Sequence, residues 1–99
     1  MYDKILQQMR KAARADRVRI TTHASDEMAK ERLSADDVIN GVLTGEVVKD
    51  QFDIKYQDTK YVIFGDALDG REIGVVAKIG ASGNVIVITV YQLNITDYE

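Results

Sequence analysis

The chain has 99 residues, enough for one domain with a single modest hydrophobic core, and we expect one domain over residues 1–99. Apolar residues make up 45% of it and charged residues 29%, which is ordinary for a soluble globular protein, and no apolar run approaches the roughly 18 residues of a membrane span. The formal charge of −3 differs from the basic excess of most nucleic-acid-binding domains, and the lack of cysteine excludes disulfides and thiolate zinc sites.

The first predicted element is an amphipathic helix over residues 3–15. Apolar residues recur there at helical spacing: Tyr2, Ile5, Leu6, Met9, Ala12 and Ala13. The chain begins without the basic and apolar pattern of a secretion signal, so we expect a cytoplasmic protein.

Positive charge is concentrated near the amino terminus. Residues 1–32 contain eight Lys and Arg against five Asp and Glu, whereas residues 33–99 contain five against eleven. A local basic patch can meet phosphates while the remaining surface stays acidic. The candidate RNA-binding residues are Arg10, Lys11, Arg14 and Arg17, together with Lys78 farther along the chain. A solvated helix face is the alternative interpretation of the amino-terminal charges.

The only histidine, His23, stands at a predicted junction between a short strand over residues 18–22 and a second helix. Asp26 and Glu27 would lie in the first turn of that helix, where acidic side chains favour its dipole, and Arg32 would lie at its far end. Histidine is the side chain best suited to proton transfer near neutral pH. His23 is therefore a candidate acid or base, with a capping or packing role as the alternative.

Residues 34–37 predict the start of a third helix. The Ser34 hydroxyl can accept an amide hydrogen from the first turn, and Asp37 three residues later can reciprocate. Leu33 and Val38 occupy the two positions of a hydrophobic staple, and Gly45 is a natural end for the helix.

After Gly45 the pattern becomes extended, and four strands are predicted over residues 46–52, 61–64, 71–79 and 85–93. The segments between them have turn chemistry that suits antiparallel hairpins. Helices followed by a run of strands indicate an α+β fold, in which the helices pack on one face of an antiparallel sheet of four to five strands. The other face of the sheet is then the expected working surface.

The residue inventory excludes most enzyme classes. One histidine and no cysteine exclude multi-histidine and cysteine metal sites, and no phosphate-binding loop or dinucleotide fingerprint is present. RNA cleavage through the adjacent 2′-hydroxyl remains, because it needs only a base, an acid and positive charge. The candidates are His23 for proton transfer, Arg32 and either Arg71 or Lys78 for phosphate charge, and Tyr91 as a proton donor or stacking platform.

Strand alternation limits which of these side chains can share a face. We expect Ile86, Ile88 and Val90 to form the core face of the last strand, which places Tyr91 on the opposite face. Arg71 and Lys78 fall on opposite faces of the preceding strand, so only one of them joins Tyr91 unless a bulge intervenes. The turn between the two strands does not determine which one.

A set of short matches runs along most of the chain after residue 17. They are Ile20-Thr21-Thr22-His23-Ala24, Met28, Arg32-Leu33-Ser34, Asp37-Val38, Gly45-Glu46-Val47-Val48, Tyr61, Gly65, Gly70-Arg71-Glu72-Ile73, Val75-Val76 and Val87-Ile88-Thr89-Val90-Tyr91. In these positions the chain resembles the small prokaryotic DUF4258 family, which is grouped with RelE-like and BrnT-like toxins. The resemblance implies helices on a curved antiparallel sheet, cleavage of RNA without a metal or cofactor, and a cognate antitoxin, in some pairs with a zinc finger.

His23, Arg32, Arg71 and Tyr91 match the family pattern, and the resemblance implies that they are the catalytic residues. The chain departs from the pattern at Glu27, where an arginine is usual, and at Gly74, where a histidine is frequent. Two hypotheses follow. One is an RNA-cleaving toxin of a type II toxin–antitoxin system, and the other is a non-catalytic module on the same fold, with a degraded active site, that binds a protein or oligomerises through the open sheet face.

Overall fold

The computed structural model describes residues 1–98, apart from the side chain of Ile95. The helices are α1 (Asp3–Arg14), α2 (Thr22–Lys30) and α3 (Ala35–Thr44). The strands are β1 (Val18–Ile20), β2 (Glu46–Asp53), β3 (Asp58–Asp66), β4 (Glu72–Ile79) and β5 (Val85–Gln92), and a short 3₁₀ helix covers Ile95–Tyr98. The predicted α+β class is confirmed. In the part of the chain that the structure describes, no helix is long and apolar enough to cross a membrane.

The five strands form one sheet in the order β1-β5-β4-β3-β2. Strands β2 to β5 are a meander of antiparallel neighbours, as predicted, but β1 pairs with β5 in parallel. The expectation of a purely antiparallel sheet is therefore wrong at one edge. The parallel pairing is possible because two helices, rather than a hairpin, connect β1 to the meander. No tight turn therefore forces β1 to run antiparallel to its neighbour.

All three helices cover the same face of the sheet and bury a single core. Its helical members are Met9, Ala12, Ala13, Ala24, Met28, Val38 and Val42, and its strand members include Ile63, Ile73, Val75, Ala77, Val85, Val87 and Val90. In the described residues no α-helix covers the opposite face, as predicted from the sequence, and the short 3₁₀ helix reaches it through Tyr98, which contacts Phe64 and Glu72.

The predicted core face of β5 is partly wrong, because a bulge in the strand changes which residues face the core. Val85 and Val87 are buried beneath the helices, whereas Ile86 and Ile88 are only half-buried. Thr89 pairs with Val76 and Val87 with Ala77, so Ile88 is an extra residue that shifts the alternation. Val90 consequently lies in the core as predicted, and Tyr91, its neighbour, lies on the open face.

The start of α3 is held by the predicted capping box. The Ser34 Oγ accepts a hydrogen bond from the Asp37 amide at 3.1 Å, and Asp37 Oδ2 accepts one from the Ser34 amide at 2.8 Å. Asp37 Oδ1 also accepts one from the Leu68 amide at 3.0 Å, which ties the helix to the turn before β4. These amides, that of Ser34 foremost, hold the pKa of Asp37 below its ordinary value.

Candidate functional site

His23 lies in the first turn of α2, directly beyond β1, with 69% of its side chain exposed. The helix begins there because the Thr21 hydroxyl accepts a hydrogen bond from the Ala24 amide at 3.2 Å. This cap places His23 on the solvent side while Ala24 enters the core. The predicted strand-to-helix junction is confirmed.

Glu27 is the partner of His23. The His23 Nε2 lies 3.3 Å from Glu27 Oε1, one helical turn away, and the same oxygen accepts a hydrogen bond from the Val90 amide at 3.2 Å. The strand amide thus fixes the carboxylate, which lies within ion-pair distance of the imidazole. Spacing of i and i+4 on a helix is the sequence signal that indicates this pair. The sequence interpretation placed Glu27 in the first turn of the helix and as a departure from the family pattern, but did not pair it with His23.

Arg71 is engaged at the other end of α2. Its guanidinium donates hydrogen bonds to the carbonyls of Glu31 at 2.6 Å and Arg32 at 3.0 Å, and to Asp69 Oδ2 at 2.8 Å. It therefore closes the carboxyl end of the helix, where backbone carbonyls lack partners. Since an α-helix rises about 1.5 Å per residue, the span from His23 to Glu31 is about 12 Å. The structure does not bring Arg71 beside His23.

Arg32 is exposed and follows α2 in the left-handed backbone region, with φ of 54°. Its carbonyl binds Arg71, but within residues 1–98 its own guanidinium makes no hydrogen bond or ion pair. Arg32 thus lies near Arg71 and away from His23.

Tyr91 and Lys78 share the open face of the sheet. Tyr91 pairs with Gly74, and a Cβ on Gly74 would lie 2.7 Å from a carbon of the ring, so the glycine is what lets the ring rest on β4. Burial, and secondarily the charge of Asp97, raises the pKa of Tyr91. Lys78, rather than Arg71, lies on this face, and its Nζ binds Asp58 Oδ2 at 2.6 Å. The four predicted catalytic residues therefore do not form one cluster.

The amino-terminal bases divide into two groups. Arg10 donates to the carbonyls of Val42 at 3.2 Å and Gly45 at 2.6 Å, so it caps the carboxyl end of α3. The exposed bases Lys11, Arg14, Arg17 and Arg19, here called the basic edge, make no side-chain hydrogen bond or ion pair with any described residue. They follow the end of α1 into β1, the edge strand that leads to His23.

A groove of about 680 Å³ lies on the open face, beside β2. Its lining includes the carboxylates of Glu46, Asp66, Glu72 and Asp97, the rings of Phe64 and Tyr98, and Lys49 as its single lysine or arginine. The Tyr98 hydroxyl donates a hydrogen bond to Glu72 Oε2 at 2.6 Å, and this bond, more than burial, raises the pKa of Tyr98 to about 12. The acidic lining disfavours phosphate in this groove.

A family model described as "Domain of unknown function (DUF4258)" matches residues 20–92, which is most of the chain. The chain belongs to the DUF4258 family. No curated protein and no solved structure matches it. The DUF4258 segment contains the His23–Glu27 pair and the whole meander, whereas the basic edge precedes it. In the described part of this DUF4258 protein, no group of three or more His, Asp and Glu side chains is placed to hold a metal ion.

Proposed function

We propose that the protein is the toxin of a type II toxin–antitoxin system, acting in the cytoplasm as a metal-independent endoribonuclease. The observation that supports this best is the exposed, carboxylate-paired His23, which follows the unpaired cations of the basic edge along the edge strand β1. Cleavage through a 2′-hydroxyl requires at least a base and positive charge for the phosphate.

In the proposed reaction, the His23 imidazole takes the proton of a ribose 2′-hydroxyl, and the 2′-oxygen attacks the adjacent phosphorus. The 5′-oxygen leaves with a proton from solvent, and the products carry a 2′,3′-cyclic phosphate and a 5′-hydroxyl. Glu27, held by the Val90 amide, stabilises the imidazolium that forms. Arg19, on the strand that leads to His23, offsets the charge of the phosphate.

The other predicted site residues take different parts in this proposal. Arg71 is a positioning residue for α2, since its guanidinium is bound to backbone carbonyls and Asp69. Tyr91 lies on the open face, where it is available to stack against a partner or a base. A cognate antitoxin, which in some pairs of the resembled family carries a zinc finger, silences the toxin by binding it.

Inducible expression in a bacterial host tests the proposal, with growth and the integrity of messenger RNA as readouts. We expect the wild type to arrest growth and fragment RNA, and His23→Ala to do neither at equal soluble expression. Ser25→Ala, an exposed change on the same helix, is the matched control and should behave as the wild type. Arrest that persists in His23→Ala would overturn the assigned role of His23.

A non-catalytic interaction module is the second candidate. It is favoured by the engagement of Arg10, Arg71 and Lys78 in contacts within the fold and by the acidic groove on the open face. Normal growth and intact RNA at high soluble expression of the wild type would select this candidate.

A further inference from the structure

The two edges of the sheet differ in whether another element covers their backbone groups. At one edge, β5 extends beyond the short β1, and α2 covers the part of β5 that β1 does not pair with. The Thr21 amide donates a hydrogen bond to the Val87 carbonyl at 3.1 Å, and Glu27 accepts one from the Val90 amide. At the other edge lies β2, Glu46–Asp53, which within residues 1–98 has β3 as its one strand neighbour. In the described residues no backbone hydrogen bond joins the outer side of β2 to another element. Its outward amides and carbonyls are a template for another strand.

The side chains along β2 and the following turn include exposed apolar residues as well as charged ones. Val48 is 45% exposed and Phe52 64%, and Ile54 and Tyr56 in the following turn are exposed as well. Edges are usually protected by proline, lysine, bulges, inward-pointing charges or a covering helix or loop. The chain contains no proline, and β2 carries Lys49 and a bulge between Val47 and Lys49, yet in the described residues its outer backbone groups make no hydrogen bond to another element.

Charge beside the edge selects the kind of strand that fits. Glu46 and Lys49 on β2 border the acidic groove, whose remaining charges are the carboxylates of Asp66, Glu72 and Asp97. A strand added to β2 would project alternate side chains toward this groove. Basic side chains are complementary to it, whereas acidic ones are repelled.

We infer that the outer edge of β2 is a docking site for an extended, positively charged segment of a partner protein. The segment pairs with β2 as an additional strand, its backbone supplying the affinity and its basic side chains, aimed at the groove, supplying the specificity. Such docking requires no RNA cleavage, so it stands or falls separately from the ribonuclease activity.

Three synthetic peptides of the length of β2 test this. The first alternates lysine and threonine, the second alternates glutamate and threonine, and the third is the lysine peptide with central prolines, which keeps its charge but cannot pair as a strand. Binding is measured by nuclear magnetic resonance titration of the full chain, and amide hydrogen exchange locates the contact. We expect the lysine peptide to bind at least about tenfold more tightly than either control and to protect β2 amides.

Two charge reversals complete the experiment. Glu46→Lys on β2 should weaken binding of the lysine peptide, and Asp26→Lys, an exposed change of the same charge on α2, should not. Equal binding of the proline peptide, protection at α2 or β1 instead of β2, or no binding would overturn the inference. Concentration-dependent dimers that protect β2 without peptide would also overturn it, because the occupant would then be a second copy of the chain.

Discussion

At the scale of single residues, the Asp37 side chain of the capping box also binds a second part of the chain. Its carboxylate accepts hydrogen bonds from the Ser34 amide and hydroxyl at the start of α3 and from the Leu68 amide in the turn before β4. Because these contacts favour the charged form, the pKa of Asp37 is lower in the folded chain than in the unfolded chain. Its stabilisation is therefore complete above the ordinary carboxyl pKa and is lost as the pH falls through the folded-state value.

We predict that Asp37→Asn lowers the free energy of unfolding by about 1–2 kcal/mol at neutral pH. The difference from the wild type should shrink on acidification, since protonation removes the same charge from the wild type. Urea unfolding at neutral and acidic pH measures both effects. Asp36→Asn, an exposed neighbour in the same turn, is the control. A deficit independent of pH would contradict the role of the charge.

The sequence predicts residue roles well where the partner is local. The Ser34–Asp37 box and the exposed His23 both follow from contacts within a few residues, and both predicted placements agree with the structure. Arg10 and Arg71 could not be assigned in this way. Their partners are backbone carbonyls 35 and 40 residues away, and only the packing of the helices on the sheet brings them together.

At the scale of elements, α2 depends on Arg71. We predict that Arg71→Ala lowers the free energy of unfolding by about 1–3 kcal/mol, because it leaves the carbonyls of Glu31 and Arg32 without a charged donor. Urea unfolding gives the size of this decrease, and faster amide exchange in the last turn of α2 locates it.

Arg32→Ala is the matched control for that experiment. It removes an exposed guanidinium at a neighbouring position and keeps a Cβ at the same φ of 54°, so its effect should stay within about 0.5 kcal/mol. Equal destabilisation by Arg32→Ala and Arg71→Ala would contradict the capping role of Arg71.

The elements themselves were predictable to different degrees. Helix α3 and the meander of β2 to β5 follow from capping, periodicity and turn residues. The bulge at Ile88 and the parallel pairing of β1 do not, because both depend on how the sheet fits under the helices rather than on a local pattern. The faces of β5 were consequently wrong for Ile86 and Ile88 and correct for Val90 and Tyr91.

At the scale of the whole molecule, charge is separated: the basic edge runs from the end of α1 into β1, and the acidic groove lies beside β2. We predict that RNA binds with a marked salt dependence. Arg14→Glu with Arg17→Glu should weaken binding and lower the slope of log affinity against log salt by about one for each phosphate that the protein no longer neutralises. Filter binding over a salt series measures this.

Lys49→Glu with Lys55→Glu gives the same change of net charge at the far edge of the sheet. This control should leave the salt slope unchanged if RNA meets the basic edge. An equal decrease in both variants would indicate that net charge alone attracts RNA.

Cleavage of a defined RNA oligonucleotide by the purified protein in the presence of EDTA tests the proposed activity most directly. We predict products with 2′,3′-cyclic phosphate ends, no cleavage at a 2′-deoxy position, and a rate lowered at least about 100-fold in His23→Ala with an unchanged melting temperature. Intact RNA with the wild type, or equal cleavage by His23→Ala, would contradict a ribonuclease that acts through His23.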